Sequence, residues 1–138
     1  MDKFDKAEAL QDPMVYRIMG SLPNVGEIWR RSKKSRIDYN FESGSTVCWV
    51  ESKYRKGHNH TEYPDANIQL DKYRVIKDKN GFLLQIVEDS WWLWDLSKTA
   101  PCRKGQWTHS KHTVLEDDKI TDWYVSFDYK DALYYTLK

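Results

Sequence analysis

The chain opens with apolar side chains at helical spacing. They recur every three or four positions from residue 3 to residue 19, which predicts an amphipathic helix. These residues are Phe4, Ala7, Leu10, Met14, Val15, Ile18 and Met19. Pro13 either kinks this helix or starts a second helix capped by Asp12. Gly20 and Pro23 then predict the end of the helical segment.

A different pattern, strict alternation of apolar and polar residues, follows the helix. It covers residues 36–41 (RIDYNF) and predicts a strand with one apolar face. The turn signal ESGS at 42–45 leads into TVCWVESKYR at 46–55, which predicts a second strand. Because the turn is short, we expect the two strands to form an antiparallel hairpin.

The rest of the chain alternates between helical and extended patterns. The predicted elements are a helix at about 65–78, strands at 82–88 and 90–96, a loop at about 97–119, a strand at about 121–127 and a short helix after Asp128. This order predicts an α/β fold with a mixed central sheet flanked by helices and extra C-terminal strands. Since the sequence shows no repeat and no low-complexity linker, we expect residues 1–138 to form a single domain.

Composition and charge narrow the class of protein. Of 138 residues, 40% are hydrophobic, and seven Trp and nine Tyr exclude the composition of a disordered chain. No run of ~20 apolar residues is present and the first residues lack the apolar core of a signal peptide, so we expect a cytoplasmic protein without a membrane partner. The net charge is +1, so phosphate binding requires a local cluster, and IWRRSKKSR at 28–36 is one.

Two charges interrupt the apolar strand at 46–55. In an extended chain Glu51 and Lys53 share one face. Antiparallel pairing across the predicted turn places Asp38 opposite residues 50–52, close to Glu51. Two adjacent carboxylates repel each other unless a cation lies between them. The hairpin therefore indicates a site for a divalent cation.

Mg²⁺, or Mn²⁺ in its place, suits this site because it takes oxygen ligands and keeps several waters. We expect Asp38, Glu51 and the backbone carbonyl of Ser52 to be the protein ligands. Lys53 would hold the attacking water or stabilise negative charge on a phosphate. The open alternative is a solvated ion pair between Glu51 and Lys53, with Asp38 as an ordinary turn residue.

The set Asp38, then Glu51-Ser52-Lys53 on a hydrophobic strand, resembles the signature of the PD-(D/E)XK superfamily of restriction-endonuclease-like nucleases. The resemblance covers about residues 5–90, and Ile37 stands at the position of the family's Pro, which is itself variable. It implies a core in the order α-β-β-β-α-β: a helix, a three-stranded meander, a crossover helix and a further strand.

A second motif adds to this resemblance. Gln69 and Tyr73 in QLDKY are similar to the QxxxY motif of the RecB-like branch, in which both side chains help to orient the active site and the nucleic acid. On a helix, a spacing of four places both on one face. Lys72 lies beside them, where it could meet a phosphate. The family's helix-borne acidic residue has two candidates here, Glu8 and Glu27.

The resemblance implies a metal-dependent nuclease that hydrolyses phosphodiester bonds of DNA, with RNA not excluded, as an endo- or exonuclease. It implies catalytic roles for Asp38, Glu51, Lys53 and Gln69. A junction-resolving or end-processing enzyme of phage or bacterial type fits this chain length, and a homodimer belongs to the expectation because resolvases usually act as dimers. The expected nucleic-acid contacts are Arg30, Arg31, Lys33, Lys34, Arg36, Arg55, Lys72 and Tyr73.

Simpler interpretations of the same residues stay open. The basic run can be a charged edge strand that resists aggregation, and Tyr73 can be a core residue of an ordinary amphipathic helix. For WWLW at 91–94 we expect core or interface packing rather than base stacking. For the histidines and Cys102 we expect positions in surface loops rather than a zinc site. The main functional alternative is a non-catalytic module on the same scaffold that binds nucleic acid or protein. A third, a β-rich domain with a small ligand, predicts that the three charged site residues lie far apart.

Overall fold

The computed structural model describes residues 3–31, 37–88, 90–110 and 119–137. Its helices are α1 (Lys3–Gly20) and α2 (Leu70–Ile76), with 3₁₀ turns at His60–Glu62 and Tyr129–Asp131. Its strands are β1 (Ile28–Arg30), β2 (Tyr39–Ser43), β3 (Thr46–Arg55), β4 (Ala66–Gln69), β5 (Gly81–Val87), β6 (Ser90–Asp95), β7 (Arg103–Ser110), β8 (Lys119–Phe127) and β9 (Tyr134–Leu137). The described chain is therefore a mixed α/β protein, as the sequence predicts.

Two sheets organise these elements. The larger has six strands in the order β1-β2-β3-β5-β6-β9, and the smaller has three in the order β4-β8-β7. All neighbouring strands run antiparallel except β3 and β5, which are parallel. Parallel neighbours require a crossover connection, and here the chain between them forms β4 and α2. The large sheet is mixed for this reason.

The β2–β3 hairpin has the register that the sequence predicts. A two-residue loop joins the strands, and Tyr39 pairs with Val50. Gly44 begins the loop with a φ of 62°, a left-handed conformation that glycine adopts without strain. Continuing this register by one residue places Asp38 opposite Glu51.

The large sheet buries both of its faces. α1 covers one face, where Ile18 and Met19 pack in a cluster with Val50 and Leu84. The small sheet and α2 cover the other face, and the buried side chains there include Ile68, Ile76, Leu83, Trp92, Trp94, Val125 and Phe127. Burying a large apolar side chain contributes roughly 1.5–3 kcal/mol. Because β3 lies inside the sheet, its side chains alternate between these two cores.

The junction between α2 and β5 depends on Gly81. A Cβ atom at this position would lie 2.3 Å from the carbonyl oxygen of Ile76, the last residue of α2. Glycine alone has no Cβ and so allows this close approach. Gly81 also pairs with Trp49 of β3, so the tight junction holds the end of α2 beside β3.

The helix predicted at about 65–78 is wrong in its first part, which is the strand β4. Ala66 and Ile68 are fully buried and alternate with the half-buried Asn67 and Gln69, a period of two. β4 pairs with β8, which lies far along the chain. Such a distant partner overrides the local helix propensity from which the prediction was made.

The C-terminal part also differs from the prediction. Residues 103–110, predicted as part of a loop, form the edge strand β7. Its side chains are mostly polar, so its apolar pattern is too weak to predict a strand. The strands predicted at 82–88, 90–96 and 121–127 are confirmed as β5, β6 and β8. The short helix predicted after Asp128 is a single 3₁₀ turn followed by the strand β9, and the pattern does not predict β1.

α1 is one continuous helix that contains Pro13. Asp12 therefore does not cap a second helix. Its carboxylate instead accepts hydrogen bonds from the Tyr39 hydroxyl and from the Arg30 guanidinium, the latter at 2.9 Å. Neither α1 nor any other helix of the described chain combines the length and apolar character that spanning a lipid bilayer requires.

Candidate active site

β3 turns three neighbouring side chains toward the small sheet and α2. Trp49, Glu51 and Lys53 share this face, and Trp49 packs against the core there. The Glu51 side chain is 2% exposed, whereas the Lys53 side chain keeps 23% of its surface exposed. A buried carboxylate is costly unless nearby charges or hydrogen bonds balance it. The neighbours of Glu51 therefore determine what this face can do.

Two lysines balance the charge of Glu51. The Lys72 ammonium, carried by α2, lies 3.1 Å from Glu51 Oε1 and donates a hydrogen bond to it. The Lys53 ammonium lies 3.9 Å from the same oxygen, which is an ion-pair distance but too long for a hydrogen bond. The crossover between β3 and β5 thus supplies the closer counter-charge.

Asp38 approaches β3 from the segment that leads into β2. Its Oδ2 accepts hydrogen bonds from the Ser52 backbone N–H at 3.1 Å and from the Ser52 hydroxyl at 3.4 Å. Gln11 of α1 donates in turn to the Ser52 hydroxyl. These contacts orient the Asp38 carboxylate, and its negative charge is close enough to act on Glu51. The structure therefore brings together the aspartate, the glutamate and the lysine of the sequence motif.

Burial is the main reason that the pKa of Glu51 is raised from 4.5 to about 7. The charge of Asp38 also raises this pKa, whereas Lys72 and Lys53 oppose the rise. The Oε2 atom of Glu51 is buried, and no hydrogen-bond partner for it is found among the described residues. An unpartnered buried carboxylate oxygen is rare and costly. Glu51 is therefore poised to take up a proton or another cation.

Burial lowers the pKa of Lys53. The nearby Glu51 carboxylate raises this pKa in opposition, and the positive charges of Lys72 and Arg55 lower it further. A partly desolvated ammonium acts strongly on charge that develops beside it, because the low dielectric around it weakens its field less than water would. Lys53 is therefore placed to stabilise an anion next to the two carboxylates.

The donor set suits a hard divalent cation better than zinc. In the ranges that the structure describes, no group of three or more His, Cys, Asp or Glu side chains could hold a metal, whereas structural zinc uses four such ligands. His58 instead pairs with Glu62 in an exposed position. Mg²⁺ is held by one or two carboxylates together with waters and phosphates. Asp38 and Glu51, with the unpartnered Oε2, fit this requirement, and the Ser52 carbonyl stays a predicted third ligand.

Gln69 and Tyr73 do not share a helical face. Gln69 is the last residue of β4 and its side chain does not cap α2. No contact of this side chain with Glu51 or Lys53 is found among the described residues, so its catalytic role stays a prediction. The Tyr73 ring packs against Phe127 with centroids 5.8 Å apart, and the Lys77 ammonium lies 5.5 Å from it. Tyr73 is thus partly buried and packs against the core, which agrees with the simpler interpretation, and Lys72, which lies between Gln69 and Tyr73, is the residue of this segment that reaches the site.

The basic cluster divides between the two faces of the large sheet. Arg30 pairs with Asp12 on the α1 side at 2.9 Å. The Arg31 guanidinium lies 4.1 Å over the ring of Trp49, which places it on the same face as Glu51. The other three basic residues of this run lie outside the described residues: Lys33, Lys34 and Arg36.

Arg55 extends the charged face along β3. Its guanidinium lies 5.3 Å from the ring of Tyr63, and its buried Nε has no hydrogen-bond partner in the described chain. Of the two candidates for a helix-borne acid, Glu27 is exposed and precedes β1, and the side chain of Glu8 lies outside the described part of α1. Gln11 is the α1 residue seen to reach the site, and sequence reasoning missed it.

Gln85 is a second residue that sequence reasoning missed. It is fully buried and lies beside Lys53 in the parallel β3–β5 register. Its Nε2 donates to the Tyr129 hydroxyl at 2.8 Å, and its Oε1 has no partner among the described residues. The signal was a single glutamine inside the apolar run FLLQIVE. Gln85 adds a buried acceptor without a partner in the described chain, next to Lys53 in the sheet.

One cavity of the described chain lies beside α2 rather than at the charged groups of β3. This cavity of about 490 Å³ lies near the end of α2, with Tyr73, Lys77 and Leu96 in its wall. Glu51, Lys53 and Lys72 do not line this cavity. No protein-family model, curated protein or solved structure matches this chain.

Proposed function

We propose that this protein is a metal-dependent nuclease that hydrolyses phosphodiester bonds of DNA, with RNA not excluded. The observation that carries the proposal is the surroundings of Glu51. This buried carboxylate has one unpartnered oxygen, Asp38 beside it, and ammonium groups at 3.1 and 3.9 Å. Paired carboxylates with adjacent lysines combine a place for a divalent ion with groups that stabilise charge on a phosphate.

The order of elements supports the proposal. α1, the β1–β2–β3 meander, the crossover through α2 and the parallel strand β5 follow the α-β-β-β-α-β order of a restriction-endonuclease-like core. Glu51 and Lys53 lie on β3, and Asp38 immediately precedes β2. β4 is an addition, because it leaves the crossover to join the small sheet. We therefore propose a restriction-endonuclease-like core that carries a second, three-stranded sheet.

The proposed roles follow from the contacts. Asp38, Glu51 and the Ser52 carbonyl would hold Mg²⁺ or Mn²⁺, which when bound supplies Lewis-acid stabilisation of charge on a phosphate. The hydrogen bonds from Ser52 fix the orientation of the Asp38 carboxylate. The Lys53 ammonium makes no hydrogen bond to Glu51 at 3.9 Å, so it is available to a phosphate oxygen or to the attacking water. Gln69 is proposed to help fix the geometry.

The nucleic-acid backbone would follow the charged face of β3. Arg31 lies over Trp49, and Lys53 and Arg55 continue the same face toward the end of the strand. Contacts of this kind bind phosphates and position the strand without reading bases. Junction resolution, with a homodimer, and end processing are the specific activities included in the proposal.

A cleavage panel tests the proposal. Single-stranded, duplex, flapped and four-way DNA, and RNA, are incubated with Mg²⁺, Mn²⁺ or a chelator. We expect cleavage only when a metal is present. The cleavage rate should fall at least ~100-fold in Glu51→Gln and in Lys53→Met, because each substitution removes a charge from the reacting centre. Two matched controls are Glu42→Gln, an exposed glutamate of β2, and Lys104→Met on β7, and both should cleave like the wild type.

Two results would contradict the assignment. Cleavage by Glu51→Gln at the wild-type rate would remove the catalytic role of this carboxylate, and equal cleavage in the chelator would remove the metal. Thermal unfolding of each variant separates a lost active site from a lost fold.

The alternative is a non-catalytic module that binds nucleic acid or protein. One observation favours it: the ammonium groups of Lys72 and Lys53 already balance Glu51 without a metal. Such a module would bind DNA with the same affinity in a chelator as in Mg²⁺, and Glu51→Gln would not weaken that binding.

A further inference from the structure

We infer that Lys72 is an internal counter-ion that a divalent cation must displace from Glu51, and that the displaced ammonium then binds a phosphate of the nucleic acid. The inference rests on the proposed metal site and concerns how that site is regulated. To the phosphate contact that the sequence predicts for Lys72 it adds a positioning role, which Lys72 exerts through Glu51.

The distances single out Lys72. Its ammonium lies 3.1 Å from Glu51 Oε1 and donates a hydrogen bond, whereas Lys53 lies at 3.9 Å. Glu51 is 2% exposed and its other oxygen has no hydrogen-bond partner in the described chain. A buried carboxylate needs a nearby positive charge. Lys72 supplies the larger part of it in this structure.

A divalent ion at Glu51 Oε2 would compete with Lys72, which is bonded to Oε1, for the charge of the same carboxylate. An ion held by Asp38 and Glu51 would lie a few ångströms from the Lys72 ammonium, and the two positive charges would repel each other. Lys72 can respond, because its flexible stem comes from α2 and a quarter of its side chain, 25%, is already exposed. Lys53 is carried by β3 itself and, at 3.9 Å, makes no hydrogen bond to Glu51 that must break.

The displaced ammonium can bind a phosphate of the nucleic acid. An ammonium offers three hydrogen-bond donors. A phosphate lying over Glu51 would supply a negative charge in place of the carboxylate that Lys72 no longer contacts. Metal binding and phosphate binding would then favour each other, because the ion frees the lysine that the phosphate needs. In the absence of metal, the Lys72–Glu51 ion pair would keep both groups occupied.

Calorimetric titration of Mn²⁺ into the full chain at pH 7.5 tests the inference. We expect Lys72→Met to bind Mn²⁺ at least tenfold more tightly than the wild type, because no ammonium competes for Glu51. Lys72→Arg should bind no more tightly than the wild type, since the guanidinium keeps the charge. Lys104→Met is the matched control. It removes one positive charge from β7, where the ammonium lies 4.8 Å from the Trp123 ring, and its affinity should equal that of the wild type.

The outcomes separate this inference from the proposed function. Equal Mn²⁺ affinity in the wild type and in Lys72→Met would overturn the displacement and leave the metal site intact. Absence of binding in the wild type and in every variant up to millimolar Mn²⁺ would overturn the metal site itself.

A second measurement uses the wild-type chain, so it does not depend on the folding of a variant. Lysine acetylation followed by mass spectrometry reports how accessible each ammonium is. We expect Mg²⁺ to increase the labelling rate of Lys72 at least threefold relative to a chelator, and to leave Lys104 unchanged. An equal rate at Lys72 in both conditions would contradict the displacement.

Discussion

The buried position of Glu51 predicts that folding stability falls as the pH rises through the weakly acidic range. The pKa of this carboxyl is raised from 4.5 to about 7 in the folded protein, mainly by burial. Between these two values the folded state keeps a proton that the unfolded state has lost. Stability therefore decreases with pH in this window. The contribution is fully present below pH 4.5 and is lost above pH 7.

The size of the effect follows from the same values. A rise of the pKa from 4.5 to about 7, at ~1.36 kcal/mol per pH unit, corresponds to about 3 kcal/mol in the free energy of unfolding. The Glu51 side chain is 2% exposed, so screening by solvent reduces this free-energy contribution only slightly. For a domain with a total stability of ~5–15 kcal/mol, this is a large share.

Urea denaturation followed by tryptophan fluorescence measures the effect, with a chelator present and at several pH values from 4.5 to 7.5. The difference between wild type and Glu51→Gln removes the contribution of other titrating groups, and we expect it to change by about 3 kcal/mol over this range. Glu42→Gln, which alters an exposed glutamate, should follow the wild-type curve. Parallel curves for wild type and Glu51→Gln would refute the reasoning.

Three further predictions concern the scaffold and the charged face. Gly81→Ala should lower the free energy of unfolding by roughly 1–3 kcal/mol, because the new Cβ would meet the carbonyl of Ile76; an unchanged urea midpoint would contradict this. Tyr39→Phe should lower the free energy of unfolding by roughly 1–2 kcal/mol, because it removes the hydrogen bond to Asp12. An unchanged free energy in the same denaturation assay would contradict this. Arg31→Ala should weaken DNA binding for all sequences and reduce the slope of log affinity against log salt by about 1, which fluorescence anisotropy at several salt concentrations would show or refute.

The hairpin is predictable from the sequence because the residues that determine its register all lie within the hairpin itself. Alternation sets which residues share a face, and a short turn at Gly44 sets the register. Counting outward from that turn places Asp38 beside Glu51, and the structure has them there. The meeting of the two carboxylates was therefore predictable from local pattern alone.

The counter-charge of Glu51 was not predictable in the same way. Lys72 reaches it because α2 is held between the Gly81 junction and β4, whose Ile68 pairs with Val125 of β8. Neither restraint leaves a pattern in the residues around Lys72. The interpretation of that segment as one long helix hid β4 and led to the wrong face for Gln69. Long-range strand pairing, rather than propensity, decided both outcomes.

The place of β4 in the small sheet has a consequence for the order of events at the ribosome. β4 is an edge strand whose sole neighbour in its sheet is β8, and β8 is translated about fifty residues after β4. Until residues 119–127 have emerged, the segment that carries Lys72 lacks its anchor. A nascent chain would therefore display Glu51 without its partner, and the mature charge balance would arise only after β8 has been synthesised.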